Sequence, residues 1–267
     1  MIQPTLRILH ALGRSGATLV GKCLGSMQGV ALLSEIHPRA FGSASPILQG
    51  AHWLNLVSEA EAKRLDGIEH YVEAMALLNQ RAPAAGRRLV LRDWSHLDFY
   101  GLPFIEQPSF RSELAELLQG HFTLRRAALV RHPIDQMMSL GRLAALGGQL
   151  DLERFLRGHR LFAELAAETG FITYEAVTSR PDEALQRLCG LLDVAFDPGY
   201  AQRWASWDRI TGDIAPSRGN VEGRIRPLPR PQVPARVLQR MAANEDYQAS
   251  LALLGYSHPD AGHPDAG

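Results

Sequence analysis

Short apolar runs without alternation, separated by segments whose apolar positions recur every three to four residues, organise most of this chain. The first run is Thr5 to Leu12; it ends in Gly13-Arg14-Ser15-Gly16, after which Leu19, Cys23 and Leu24 take helical spacing between Ala17 and Met27. That pattern predicts strand, tight turn, helix. Val30 to Leu33 predicts a second strand, followed by a proline- and glycine-bearing loop from Ser34 to Gly50. Ser58 to Gln80 predicts a helix opened by a capping box of Ser58 and Glu61. Arg88 to Leu91 and Ala127 to Val130 are two further strands, and Pro133 stands in the first turn of a helix carrying Met137, Met138, Gly141 and Leu143. Asp151 to Glu168 predicts a helix, Phe171 to Tyr174 a strand, Pro181 to Asp193 a helix with proline at its start, and Ala235 to Leu254 a last helix. Gly212 to Pro234, rich in Arg, Gly and Pro, predicts an ordered surface loop or lid. The sequence ends in two His-Pro-Asp-Ala-Gly repeats with nothing to bury, so one domain is expected over 1–256 and a flexible tail over 257–267. Strands of this unalternating kind are buried on both faces of a parallel sheet. Their alternation with helices predicts an α/β three-layer sandwich, a central parallel sheet flanked by helices.

Composition narrows the class. Of 267 residues, 46% are hydrophobic and 21% charged, the balance of a soluble globular protein. No apolar run is long enough for a transmembrane helix. The amino-terminal stretch lacks a cationic leader and a cleavage site and reads as a strand, so a cytoplasmic protein is expected. A formal net charge of zero argues against a general nucleic-acid binder. Lys22 and Lys63 are the only lysines, leaving arginine, with its rigid and permanently charged fork, as the main cation; a GC-rich coding bias gives the same composition. Cys23 and Cys189 lie far apart in apolar helical patterns and predict reduced core residues, not a metal site or disulfide.

A turn between a first strand and a first helix is a ready anion site, because free N–H groups and the helix dipole both point there. Gly13 and Gly16 allow close backbone approach, Arg14 adds charge, and Ser15 and Thr18 add hydroxyls, although Gly-x-x-Gly turns also serve purely structural junctions. A Walker A spacing overlaps it from Gly16 to Cys23, with Cys23 where a magnesium-binding Ser or Thr belongs. Its register is wrong: the strand has ended at Leu12, and helical periodicity is under way by Leu19, which makes Lys22 a surface residue of the first helix. Further on, Arg131 sits at the carboxyl end of a buried strand with Ser139 eight residues later, where ligands of open α/β sheets collect. A strand-capping arginine and an idle serine would look the same.

Together these segments resemble the PAPS-dependent sulfotransferase family, PAPS being 3'-phosphoadenosine 5'-phosphosulfate. Gly13 to Leu19 is similar to the family's 5'-phosphosulfate loop, and Leu129-Val130-Arg131-His132-Pro133 with Ser139 to its 3'-phosphate motif. Phe171 to Val177, followed by Pro181 and the Leu185, Leu188, Leu192 stripe, resembles the Tyr-Glu-x-Leu strand and next helix, and Ser217-Arg218-Gly219 the late Arg-Gly segment. The resemblance implies a P-loop-like nucleotide-binding architecture. It implies that Arg14, Ser15, Gly16, Ala17, Thr18 and Leu19 hold the 5'-phosphosulfate, that Arg131 and Ser139 hold the 3'-phosphate with Ser217, Arg218 and Gly219 completing it, and that Tyr174 lies near the adenosine. Ala17 stands where the family often has a second hydroxyl. PAPS as donor, PAP as product and no metal follow from the same resemblance.

Sulfuryl transfer needs in-line positioning, charge stabilisation on the leaving phosphate, here by Arg14 and the loop amides, and a base for the acceptor's proton. Glu35, after the second strand, and His96, after the third, stand where the family's bases fall; Asp93 is placed to orient Arg92 or His96, and His37 is a weaker candidate. The acceptor, a hydroxyl or amine on a small molecule, a carbohydrate or a carrier, would meet loops 36–57, 94–110 and 142–150, with Trp53, Phe99, Tyr100 and Phe104 as an apolar wall. Two other functions stay open: an ATP-dependent P-loop kinase, against which Cys23 counts, and a nucleotide-binding protein without catalysis.

Overall fold

Each unalternating run becomes a strand of one parallel sheet. The computed structural model describes residues 3–40, 42–142, 151–212, 223–230 and 232–259. In chain order the elements begin β1 (Thr5–Ala11), α1 (Ala17–Gly25), β2 (Val30–Ile36), α2 (Pro46–His52), α3 (Glu59–Leu65), α4 (Tyr71–Ala84), β3 (Arg88–Asp93), α5 (His96–Tyr100) and α6 (Glu113–Leu118). They continue with β4 (Thr123–Val130), α7 (Pro133–Leu140), α8 (Leu152–Thr169), β5 (Phe171–Thr173), α9 (Tyr174–Ser179), α10 (Pro181–Leu192), α11 (Tyr200–Arg203), α12 (Ala235–Ala242) and α13 (Glu245–Leu254). The sheet order is β2-β3-β1-β4-β5, and every pairing is parallel.

Strand parity sorts the core into layers. Leu6 and Ile8 of β1 join Ala31, Leu33, Leu89 and Leu91 beneath α2, α3, α4 and α6, while Ala128 and Val130 on that same face of β4 pack under α7, α8 and α13. The opposite parity, Leu9 and Ala11 with Leu32, Val90, Ala127 and Ile172, packs against α1 and α10. Helices therefore cover both faces, the three-layer sandwich that the strand pattern predicts. Both cysteines are buried and free, and Cys189 Sγ lies 3.7 Å from Met27 Sδ. Among the described residues, no helix is long and apolar enough to cross a membrane.

The structure departs from the sequence reading at several ends. The loop expected from Ser34 to Gly50 contains the last residues of β2 and most of α2, and the helix expected from Ser58 to Gln80 is interrupted by a short 3-10 turn between α3 and α4. The Ser58–Glu61 capping box is present at the head of α3. The last predicted helix breaks at Asn244, whose side-chain oxygen accepts the Tyr247 N–H at 3.0 Å and starts α13 afresh. The first residues of the expected tail are docked: His132 Nε2 donates to Ser257 O at 3.1 Å, and His258 Nδ1 lies 2.9 Å from the Tyr247 hydroxyl.

Candidate active site

A cavity of about 600 Å³ opens at the carboxyl ends of the strands, where the β1–α1 turn, the end of β3 and the start of α7 converge. The turn is tight: the Ser15 N–H and Oγ–H both donate to Leu12 O, at 3.2 and 2.7 Å. Arg14 has φ +68° and Gly16 φ +95°. A Cβ on Gly16 would lie 2.4 Å from Tyr174 Cδ2, so space as well as backbone geometry demands glycine there. Gly16 caps α1 without a side-chain bond, which leaves the first-turn N–H groups to the cavity.

The end of β4 and the start of α7, more than a hundred residues further along the chain, are bolted to this turn. Gln136 Nε2 donates to Gly13 O at 2.6 Å, Arg131 Nη1 to Arg14 O at 3.1 Å, and Arg14 Nε to Ser139 Oγ at 3.0 Å. The Arg131 guanidinium stacks over the Tyr174 ring, 4.4 Å from its centroid, and burial holds the Tyr174 phenol above its ordinary pKa. Arg131 Nε is buried with no partner among the described residues. Asp135, also on the wall, is held by both arms of Arg230 at 2.9 and 3.0 Å.

The other end of the cavity is made by an irregularity. Ala31 and Leu33 share a face with Ile36, a parity that requires one extra residue, and the register of β2 against β3 shifts between Ser34 and Ile36. Glu35 is that residue, at φ +53°, and its carboxylate lines the cavity with 17% of the side chain exposed. A Cβ on Gly212 would stand 2.8 Å from Glu35 Oε1 and 3.1 Å from Thr18 Oγ1, so the carboxylate and the α1 hydroxyl converge on one spot. Behind Glu35 lies Arg92, 3% exposed, whose Nη2 reaches Ser34 Oγ at 2.6 Å, Thr211 O at 2.9 Å and Glu35 Oε1 at 3.7 Å. Desolvation lowers the Arg92 pKa, and Glu35 works against that shift.

His96 is a different kind of group. Its Nε2 accepts the Trp94 indole N–H at 2.7 Å, so a neutral ring carries its proton on Nδ1. His96 is half-buried, and desolvation, with Arg92 adding to the effect, brings its pKa down to about 3. Asp93 orients neither Arg92 nor His96; its Oδ2 accepts from His10 Nδ1 at 2.7 Å and Ser95 Oγ at 2.8 Å. His37 is fully buried and pairs with Asp98 at 3.0 Å. Burial opposes the charged ring, but the Asp98 bond and the nearby carboxylates outweigh it and raise the His37 pKa, while burial pushes Asp98 up to about 6. Glu113 approaches the same pair, but both arms of Arg39 engage it and the Arg39 N–H occupies His37 Nδ1.

Of the residues singled out from sequence, Arg14, Gly16, Ala17, Thr18, Glu35, His96, Arg131, Ser139 and Tyr174 line this one cavity. Ser15 and Leu19 do not: the Ser15 hydroxyl is spent on Leu12 O, and Leu19, half-buried, packs against the α1 side of the core. Ser217, Arg218 and Gly219 lie outside the described residues. Lys22 turns away, its Nζ 3.5 Å from Ala205 O, and Cys23 is fully buried, so the Walker A spacing places nothing in the cavity. Of the expected apolar wall only Tyr100 lines it; Phe99 stacks on Phe162 in the core, Trp53 packs under the sheet, and Phe104 is exposed beside Trp94. Trp94 and Arg142 line the cavity from the expected loops 94–110 and 142–150, whereas Leu228 and Pro229 were not singled out as lining residues.

No protein-family model and no curated protein matches the sequence. Solved structures match the fold over nearly its whole length. The sulfotransferase domain from the curacin biosynthetic pathway superposes with a TM-score of 0.62 at 17% identity, covering 97% of this chain and 100% of that one. The sulfotransferase domain from the olefin synthase of Synechococcus PCC 7002 superposes with a TM-score of 0.64 at 19% identity, covering 97% and 98%. The chain has the sulfotransferase fold.

Proposed function

We propose that this protein is a sulfotransferase that moves a sulfuryl group from PAPS to a hydroxyl or amine of its acceptor, releasing PAP. One observation supports the reading: Arg14 at the open first turn of α1, together with Arg131 and Ser139, lines one cavity wall, where the Arg14–Ser139 and Arg131–Arg14 bonds tie them together as two candidate anion sites. Two anion sites on one nucleotide wall suit a 3',5'-bisphosphorylated nucleoside, whose adenine would lie against Tyr174. A kinase would need a magnesium-binding hydroxyl where Cys23 is buried.

PAPS would supply an activated sulfuryl group on a phosphate leaving group. Arg14 and the α1 amides stabilise the charge that develops on that phosphate. Glu35 takes the acceptor's proton: its carboxylate faces the cavity beside Thr18, whereas the Nε2 lone pair of His96 is taken by Trp94 and its low pKa makes it a poor acceptor at neutral pH. His96 instead has an Nδ1–H to donate. A small-molecule, carbohydrate or carrier-bound acceptor would enter past Trp94, Leu102 and Leu228. A cytoplasmic setting goes with two unpaired cysteines. The test is release of PAP from PAPS in the presence of a panel of alcohols and amines without added metal. Acceptor-dependent release supports the reading, and its absence with every acceptor supports a binding protein without catalysis.

A further inference from the structure

The last described residues close a second layer behind the nucleotide half of the cavity. Arg131 and Tyr174, stacked at 4.4 Å and both lining the cavity, are each followed by a residue that does not line it: His132 and Glu175. Glu175 Oε1 accepts the His132 backbone N–H at 3.0 Å, and Glu175 Oε2 accepts the Tyr256 hydroxyl at 2.7 Å. His132 Nδ1 accepts the Ile134 N–H at 3.3 Å, capping α7, so its proton sits on Nε2 and is given to Ser257 O at 3.1 Å. The His132 and Tyr256 rings meet edge to face, 5.2 Å apart. Burial, reinforced by the Glu175 carboxylate, holds the Tyr256 phenol far above its ordinary pKa, so it stays a neutral donor.

The carboxyl end of β4 and the start of α9 are thus joined through one carboxylate, and a residue from beyond α13 secures that carboxylate. We propose that Tyr256 is a positioning residue of the nucleotide site, holding Glu175 so that Arg131 stays stacked on Tyr174 and aimed at the 3'-phosphate. The proposal rests on the nucleotide reading above. The β1–α1 turn has its own anchor in Gln136, so loss of the Tyr256 hydroxyl should disturb the 3'-phosphate end and spare the 5' end.

Calorimetric titration of the full chain with 3',5'-ADP and with adenosine 5'-phosphosulfate, which lacks the 3'-phosphate, separates these ends. Tyr256→Phe should weaken 3',5'-ADP about fivefold or more and adenosine 5'-phosphosulfate less than about twofold, the scale of one lost hydrogen bond felt at one end only. Tyr200→Phe is the matched control, because it removes a buried phenol's 2.6 Å bond to Asp182 away from the cavity; it should lower the melting temperature and leave both affinities unchanged. Equal weakening of both ligands by Tyr256→Phe, or none, overturns the positioning role while leaving the nucleotide reading intact. Failure of the unmodified chain to bind 3',5'-ADP overturns that reading, and this inference with it.

Discussion

The two ends of the cavity are built by opposite means. Around Arg14 and Arg131 the chain uses regular parts, a strand-to-helix turn and the end of a straight strand, joined by short bonds from Gln136 and Ser139. Around Glu35 it uses an exception: a bulged residue at φ +53° backed by an almost fully buried arginine. A non-glycine residue in that region costs on the order of 1 kcal/mol and persists only where its surroundings fix it. Here Ser34, Arg92 and Thr211 form that surround. Two arginines and open helix N–H groups can be gathered by regular secondary structure, whereas aiming one carboxylate into the same space takes a local departure from it.

The largest effect that sharpens this contrast falls on Glu35. Glu35→Gln should lower single-turnover transfer by roughly 10²-fold or more and leave 3',5'-ADP affinity within about twofold, since the proton is moved only in the transition state. His96→Asn should cost less in the same assay. The reverse order would put the base at His96 and require Trp94 to release Nε2. Next comes Arg131→Ala, expected to weaken 3',5'-ADP by about 2 to 3 kcal/mol through loss of a charge-assisted contact and to change adenosine 5'-phosphosulfate little. If Arg131→Ala also abolishes the chemical step in nucleotide-saturated enzyme, the two ends are not separate.

A smaller effect is read from stability. His96, half-buried, and His159, fully buried, are neutral in the folded chain, with desolvation as the main cause of pKa values of about 3 and about 4. The unfolded chain binds protons on these rings below about pH 6.5 while the folded chain does not, so their contribution is complete above that pH and is lost as the pH falls toward the folded values. At pH 5.5 each should have removed about 1 kcal/mol. His159→Gln should therefore flatten the decline of the melting temperature between pH 7 and pH 5; an unchanged slope would mean that His159 is not the group being titrated.

How much of this was legible in sequence follows the same division. Arg14, Gly16 and Thr18 of the β1–α1 turn, Arg131 with Ser139, and Tyr174 belong to local patterns, and these residues line one cavity. Glu35 was legible as a residue after a strand, but the bulge that aims it was not, because it shows only in the face to which Ile36 returns. Arg92 reads in sequence as one more strand residue; its role comes from Thr211, 119 residues away. The docking of Tyr256 and Ser257 was hidden for the same reason, since their partners Glu175 and His132 belong to other motifs. Ser15 misled because a hydroxyl in an anion-binding turn can equally close the turn on itself, as it does on Leu12.

The central claim is that one nucleotide spans both anion sites without a metal. Calorimetry of the metal-free protein with 3',5'-ADP, beside ATP with magnesium, tests it most directly. The account predicts that 3',5'-ADP binds without metal and at least tenfold more tightly than ATP, with Arg14 and Arg131 each contributing roughly as a charge-assisted contact should. Equal or tighter binding of ATP, dependent on magnesium, would contradict it.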